Sequence, residues 1–390
     1  MYSEDDINSA VAAGALSAES AASFRAHMSK VRELPRGSEE NFRLINSFND
    51  IFVAIGIVIL LIAVGAIGQA VGGLVFPAET WSEMVQRDAS QADFDAWRDA
   101  RETAEAIQIS LAGLFVAATA WPLSEFFTRK RRMALPSIIL LLAFVGGVFV
   151  TIAASSVAVA EEGNEIVAAV LITAAGLFAA GAAYLHWRRF QVPITIAAAT
   201  GVAVLSLVIA ILGVAQIEAD STPFLMVLFV AGLCVFAFAM RWDISDRERI
   251  TRRSDVAFWL HLLAAPLIAH PIFALIGVTD GDNIGVLAAI GVLVVYVAFG
   301  LLALAIDRRA LLVSALAYVL FALTFLFREF GAVELNFALT ALVIGSALLS
   351  LSAFWQPIRH TVVSGLPGSL REKLPATEDQ DVQLSAASPA

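Results

Sequence analysis

Apolar residues run through most of this chain in long unbroken stretches, with neither the alternation of a half-buried strand nor the narrow stripe of a surface helix. Residues 51–76, "IFVAIGIVILLIAVGAIGQAVGGLVF", set the pattern, and 285–306, "GVLAAIGVLVVYVAFGLLALAI", repeats it. Ten such segments can be marked, near 51–76, 105–127, 137–160, 166–187, 194–215, 224–241, 256–277, 285–306, 310–327 and 337–355. A helix needs about 20 apolar residues to cross roughly 30 Å of hydrocarbon, and each segment is close to that length. Backbone groups have no water to bond in lipid, so only helices or closed barrels span it. Continuous apolar runs exclude the barrel. The pattern predicts an all-α, polytopic transmembrane helix bundle of about ten spans.

The polar punctuation predicts an orientation. Loops after spans 2, 4, 6 and 8 contain "TRKRR", "WRRF", "RWDISDRERITRRSD" and "DRR". They hold 13 basic residues against 4 in the acid-rich loops after spans 1, 3, 5, 7 and 9. Lys and Arg stay with cytoplasmic loops, so both termini are expected in the cytoplasm. With 22 Arg against 3 Lys, and abundant Ala, Gly and Val, the composition fits a GC-rich bacterial genome. The expected location is the bacterial inner membrane, with the bilayer as the main partner.

Three segments stand outside the bundle, which is expected over 51–355. Residues 1–50 form a polar lead. Ser3 with Asp6, and Ser17 after Gly14, predict two short helices joined at a glycine, each with a serine near its start. Two readings stand side by side, a solvated collar that assists insertion or a docking module for a cytoplasmic partner. The first 47 residues, polar overall, lack the basic patch and short apolar core of a secretory signal, so span 1 is expected to act as the insertion signal. In the outer loop 77–104, Trp81, Met84, Val85, Phe94 and Trp97 recur at helical spacing, as in a helix lying on the membrane surface. The tail 356–390 is polar, and its last fifteen residues have a disordered composition.

Composition narrows the chemistry. Charged residues make up 15% of 390 and mean hydropathy is +0.80, whereas soluble domains carry about 25% charge. A net charge of −10 argues against a nucleic-acid surface. Cys234 is the one cysteine, so neither an intramolecular disulfide nor a thiolate metal cluster is expected. No phosphate loop, metalloprotease helix, nucleophile elbow or haem-type cysteine pair occurs, and no cofactor or metal is implied.

Several stretches together resemble a group of bacterial multi-pass inner-membrane proteins of unknown function that carry a short N-terminal helical lead. They are "ENFRLINSFNDIFVAIG" entering span 1, "DVAFWLHLLAAPLIAHPIF" in span 7, "LPGSLREKLP" in the tail and the leading "AAGALSAESA". The resemblance implies a polytopic fold and brings no activity or functional residues with it.

Ionisable residues inside spans are costly and therefore informative. The middle of every span is free of Asp, Glu, Lys and Arg, which weakens a proton-driven carrier or a carboxylate hydrolase. Span 7 carries the exception, His261 and His270, together with Pro266 and Pro271. Nine positions at about 100° each place the two histidines on opposite faces of a straight helix, so they are not expected to share a metal. The prolines remove the bonds to the carbonyls of Leu262 and Leu267 and are expected to kink the helix. His270 then either donates to a freed carbonyl of its own helix or lines a cavity as a ligand contact. Tyr296, Tyr318 and Thr324 are isolated polar groups in spans 8 and 9 that line a path or bridge helices. Gly68 and Gly72 make a small-residue face for close helix packing, beside Gln69. Pro122 in span 2 and Pro266 in span 7 would correspond in two inverted five-span repeats, although the halves share no evident sequence similarity.

The uncharged interior favours a non-enzymatic transport or export component for a small neutral or amphiphilic molecule. The alternative is a structural or sensory protein whose N-terminal helices bind a partner. An intramembrane enzyme is the least supported class, because acid–base residues are scarce.

Overall fold

The structure, a computed structural model, describes residues 4–24, 48–77, 90–157, 165–218, 221–247, 249, 251–277, 285–329 and 335–375. Among these residues the chain is all-α, and ten helices are long and apolar enough to cross a membrane. They are α1 (Phe48–Val75), α2 (Gln91–Ser124), α3 (Ala134–Val157), α4 (Glu165–Phe190), α5 (Ile194–Ala215), α6 (Thr222–Ile244), α7 (Arg252–Leu275), α8 (Val286–Ile306), α9 (Ala310–Glu329) and α10 (Asn336–Ala353). Two short helices follow, α11 (Trp355–Ser364) and α12 (Gly368–Arg371).

The helix limits depart from the hydropathy pattern in three places, each for a local reason. α2 begins at Gln91 because Ser90 and Asp93 form a reciprocal cap, Ser90 N–H donating to Asp93 Oδ2 at 2.9 Å and Asp93 N–H to Ser90 Oγ at 3.3 Å. Much of the expected outer loop is thus the first turns of α2, with Phe94 and Trp97 packed ring to ring at 5.7 Å. Residues 78–89, with Trp81, Met84 and Val85, lie outside the described residues. α6 and α7 both extend into the charged stretch between them, to Ile244 and from Arg252. The tail is helical rather than merely polar, since α11 and α12 fold within 355–371. The end expected to be disordered lies outside the described residues.

The described residues 4–24 of the N-terminal lead belong to a unit separate from the bundle. A helix spans Glu4–Ala12, the chain turns at Gly14 with φ +72°, and helix resumes after Ser17, whose Oγ accepts from Ser20 N–H at 3.0 Å. Ser3 lies outside the described residues.

In the bundle α7 is the central helix. Of its most apolar window 56% is buried, against 6% to 33% for the other nine spans. Val256, Leu260, Ala264, Ile268 and Phe273 recur every three to five positions and build the main core with Val235 and Ala239 of α6, Val292 and Phe299 of α8, and Ala315 and Val319 of α9. α7 stays helical through both of its prolines, Pro266 exposed and Pro271 buried.

The first half of the bundle packs by close backbone approach, as expected where lipid supplies no hydrophobic drive between helices. Gly68 meets α2 so closely that a Cβ would stand 2.7 Å from the Leu111 carbonyl, and at Gly72 it would stand 2.8 Å from Gln108 Cα. Gln69 points away, exposed. α2 and α3 cross glycine to glycine: a Cβ on Gly147 would lie 2.7 Å from the Gly113 carbonyl and 2.9 Å from Ala117 N. Its neighbour Gly146 has nothing within 4 Å of that position. Gly147→Ala is therefore expected to cost about 1–3 kcal/mol of stability by overpacking, while Gly146→Ala is neutral or slightly stabilising through helix propensity. Thermal unfolding of the two detergent-solubilised variants checks the contrast.

Candidate functional site

Charged side chains gather where the even-numbered loops meet, and their contacts hold those loops at one end of the bundle. Arg189 at the end of α4 pairs with Glu125 after α2 at 2.6 Å. Arg252 at the start of α7 donates to Gln191 Oε1 between α4 and α5 at 3.2 Å. The loops after α6, α8 and α10 meet in a junction whose centre is fully buried.

Asp243 is its centre. On α6 the buried positions Leu225, Gly232, Val235, Ala239 and Asp243 follow helical spacing, so the carboxylate continues the apolar stripe that faces α7. On α7, Ala257, His261, Ala264 and Ala265 are likewise buried. His261 Nε2 lies 2.7 Å from Asp243 Oδ2, and Phe236 sets its ring edge against the imidazole at 5.2 Å. Arg308, in the three-residue turn between α8 and α9, reaches the same carboxylate with Nη2 to Oδ1 at 2.5 Å and Nε to Oδ2 at 3.3 Å. Nη2 also donates to the Ser254 carbonyl at 3.0 Å and lies 3.1 Å from its hydroxyl. Asp243, His261 and Arg308 are at most 2% exposed. A buried charge is tolerated only when paired and hydrogen-bonded, and the forked guanidinium supplies both.

A second carboxylate ties in the tail. Asp307 Oδ2 accepts from Arg249 Nη1 at 2.9 Å, and Asp307 Oδ1 accepts from Trp355 Nε1 at 2.7 Å. Arg249 Nη2 also donates to the carbonyls of Ile306 and Asp307, each at 3.0 Å. Arg309 stacks over the Trp355 ring at 4.8 Å. From α11, Arg359 stands 3.7 Å from Asp307 and donates to the Pro375 carbonyl at 2.8 Å. Arg247 donates to the Leu374 carbonyl at 2.9 Å. Residues 355–375 thus form a strap across the junction.

The junction is strained as well as charged. Arg249 and Asp307, an ion pair, both hold left-handed backbone at φ 54° and 55°, at about 1–3 kcal/mol each. Burial lowers the Arg249 pKa to about 10, with the nearby Arg308 and Arg359 charges adding to the effect and Asp307 and Asp243 opposing it. The guanidinium therefore stays charged at neutral pH. Asp246 closes the turn, its Oδ2 accepting from Thr251 N–H at 3.0 Å and from Ser254 N–H at 3.3 Å. That places an acid on the positive end of α7.

The residues singled out by sequence separate into two places. His261 belongs to the junction. His270 lies nine residues on, about 13 Å along the helix, half-buried, with Nδ1 at 2.8 Å from the Tyr318 hydroxyl of α9. Its Nδ1 partner thus comes from a neighbouring helix, whereas a freed carbonyl of α7 itself was one of the two readings the sequence left open. Tyr318 stacks on Phe273 at 4.4 Å. Tyr296 is half-buried on α8 and packs against both the central core and the smaller cluster beneath the strap. Thr324 Oγ1 meets Thr340 Oγ1 of α10 at 3.3 Å. The two histidines do not converge, and no group of three His, Cys, Asp or Glu among the described residues could hold a metal.

Sequence reasoning missed Asp243, Arg249, Asp307, Arg308 and Arg359, read as loop or tail, and Trp355, read as the end of the tenth span. One signal was available: Asp243 stands four and eight residues after Ala239 and Val235, in phase with the buried stripe. It also missed His186, fully buried among Trp121, Phe144 and Phe190, its ring 4.5 Å from that of Phe190. Comparison with protein-family models, with curated proteins and with solved structures finds no match to this chain.

The strap is directly testable. Arg247→Ala removes the donor to the Leu374 carbonyl and is expected to speed tryptic cleavage at Arg371 and Lys373 several-fold, with global stability changed by about 1 kcal/mol. Mass spectrometry of the released tail peptide reads the rate; an unchanged rate means Arg247 does not hold the strap.

Proposed function

We propose that this protein is a non-enzymatic transport or export component of the bacterial inner membrane, with both termini in the cytoplasm, for a small neutral or amphiphilic molecule. The observation that carries the reading is the division of labour along α7. Its charged contacts lie in the junction at one end, while from Val256 to Leu275 it has no Asp, Glu, Lys or Arg. The polar group deeper in that stretch is a half-buried imidazole hydrogen-bonded to a phenol. A His–Tyr pair offers hydrogen-bonding groups where this stretch of α7 carries no carboxylate, ammonium or guanidinium, which suits an uncharged solute better than an ion. α7 also touches α5, α6 and α9, so a small shift of this helix would open the bundle from within. The basic loops support the orientation, and the resemblance to bacterial inner-membrane proteins supports the location.

Two measurements test the proposal. Reporters fused after Phe190 and after Ala219 are expected to be active in the cytoplasm and the periplasm respectively. Inside-out vesicles bearing the protein are expected to clear a neutral amphiphilic dye faster than empty vesicles, and Tyr318→Phe or His270→Ala to reduce that excess at least threefold. Clearance equal to that of empty vesicles for a panel of neutral dyes, from correctly oriented protein, would overturn the reading.

A further inference from the structure

We propose that the turn joining α2 to α3, together with the end of α4, is a binding site for the headgroup of an anionic phospholipid. After Ser124, α2 widens into a π-helical turn, Glu125–Lys130, and the chain leaves it through Arg132 in left-handed backbone at φ 54°. Arg129, Lys130, Arg131 and Arg132 are all exposed there, and Arg188 and Arg189 are exposed at the adjoining end of α4.

The charge of this patch is poorly compensated. Glu125 is paired with Arg189 at 2.6 Å and with Arg129 at 3.3 Å. Arg188 donates to the Tyr184 hydroxyl at 3.3 Å, and Arg131 lies over the Phe126 ring at 5.5 Å. Among the described residues Lys130, Arg131 and Arg132 have no acidic partner. In the junction of α6 to α9, by contrast, half-buried Arg249 and fully buried Arg308 are each paired with a carboxylate.

The surroundings favour a lipid over a soluble anion. Phe126, Tyr184 and Leu185 are 42%, 54% and 60% exposed beside the patch, on helices whose outer faces are apolar. A phosphate held by the guanidinium groups would leave its acyl chains along these side chains. Basic clusters at the ends of membrane helices hold acidic headgroups in this way, and Arg is well suited to phosphate oxygens. The excess of cations sets the preference for an anionic headgroup over a zwitterionic one.

Native mass spectrometry of the full-length protein in detergent, with phosphatidylglycerol or phosphatidylcholine added, tests the site. The wild type is expected to retain phosphatidylglycerol preferentially. R131Q/R132Q is expected to lower that retention about tenfold, with Lys130→Gln as a milder second variant should the pair fail to fold. R241Q/R253Q removes the same number of exposed charges at the end of α6 and the start of α7 and is expected to leave retention within twofold. Equal retention of the two lipids, or equal losses from the two double variants, would overturn the proposal, since either means diffuse attraction without a site. Displacement by millimolar glycerol phosphate would overturn it too, because the acyl chains would then contribute nothing.

Discussion

A carboxylate removed from water and from lipid headgroups must find its counter-charge inside the protein, and Asp243 imposes that requirement on the whole second half of the bundle. Ionised and unpaired it would cost several kcal/mol. Its position at the end of α6 therefore demands that α7 bring His261 alongside, and that the short turn between α8 and α9 deliver Arg308. Because that turn has only three residues, placing Arg308 also places Asp307. Asp307 in turn recruits Arg249 from the α6–α7 loop and Trp355 from the tail. One buried charge thus propagates order through four helices, two loops and the strap.

The first half is organised differently. α1, α2 and α3 approach through glycines, and their interhelical bonds are small, such as Ser110 Oγ donating to the Thr151 carbonyl at 2.8 Å. Dispersion between close backbones holds these helices, with charge confined to their ends. The contrast bears on function. The first half presents Arg129 to Arg132 outward, while the second half folds Arg249 and Arg308 against carboxylates and keeps half-buried His270 and Tyr318 beyond them.

The ten spans and the all-α fold were legible because hydropathy decides them: lipid tolerates only helices or closed barrels, and the continuous apolar runs exclude the barrel. The helix ends were not, since "RWDISDRERITRRSD" reads as solvated loop by composition although Asp243 and Ser254 are buried. Burial there depends on Arg308, more than fifty positions downstream, which no local pattern announces. The separation of His261 from His270 followed from helix geometry, yet the partners Asp243 and Tyr318 lie on other helices and could not be assigned. The strap escaped notice for a related reason. Trp355, Arg359 and Val363 are buried at four-residue spacing, but ten residues with so few apolar positions look like tail until the surface beneath them is known.

That Asp243 and Arg308 act as one unit is the claim on which the rest depends. A double-mutant cycle on unfolding free energy, with Asp243→Asn, Arg308→Met and the pair together, measures it directly. Each single variant is expected to lose about 3–5 kcal/mol because it strands a buried charge or an unmet donor. The double variant is expected to recover much of that loss, giving a coupling of about 2 kcal/mol or more. Additive losses, within about 0.5 kcal/mol, would contradict the account and leave the junction a set of independent contacts.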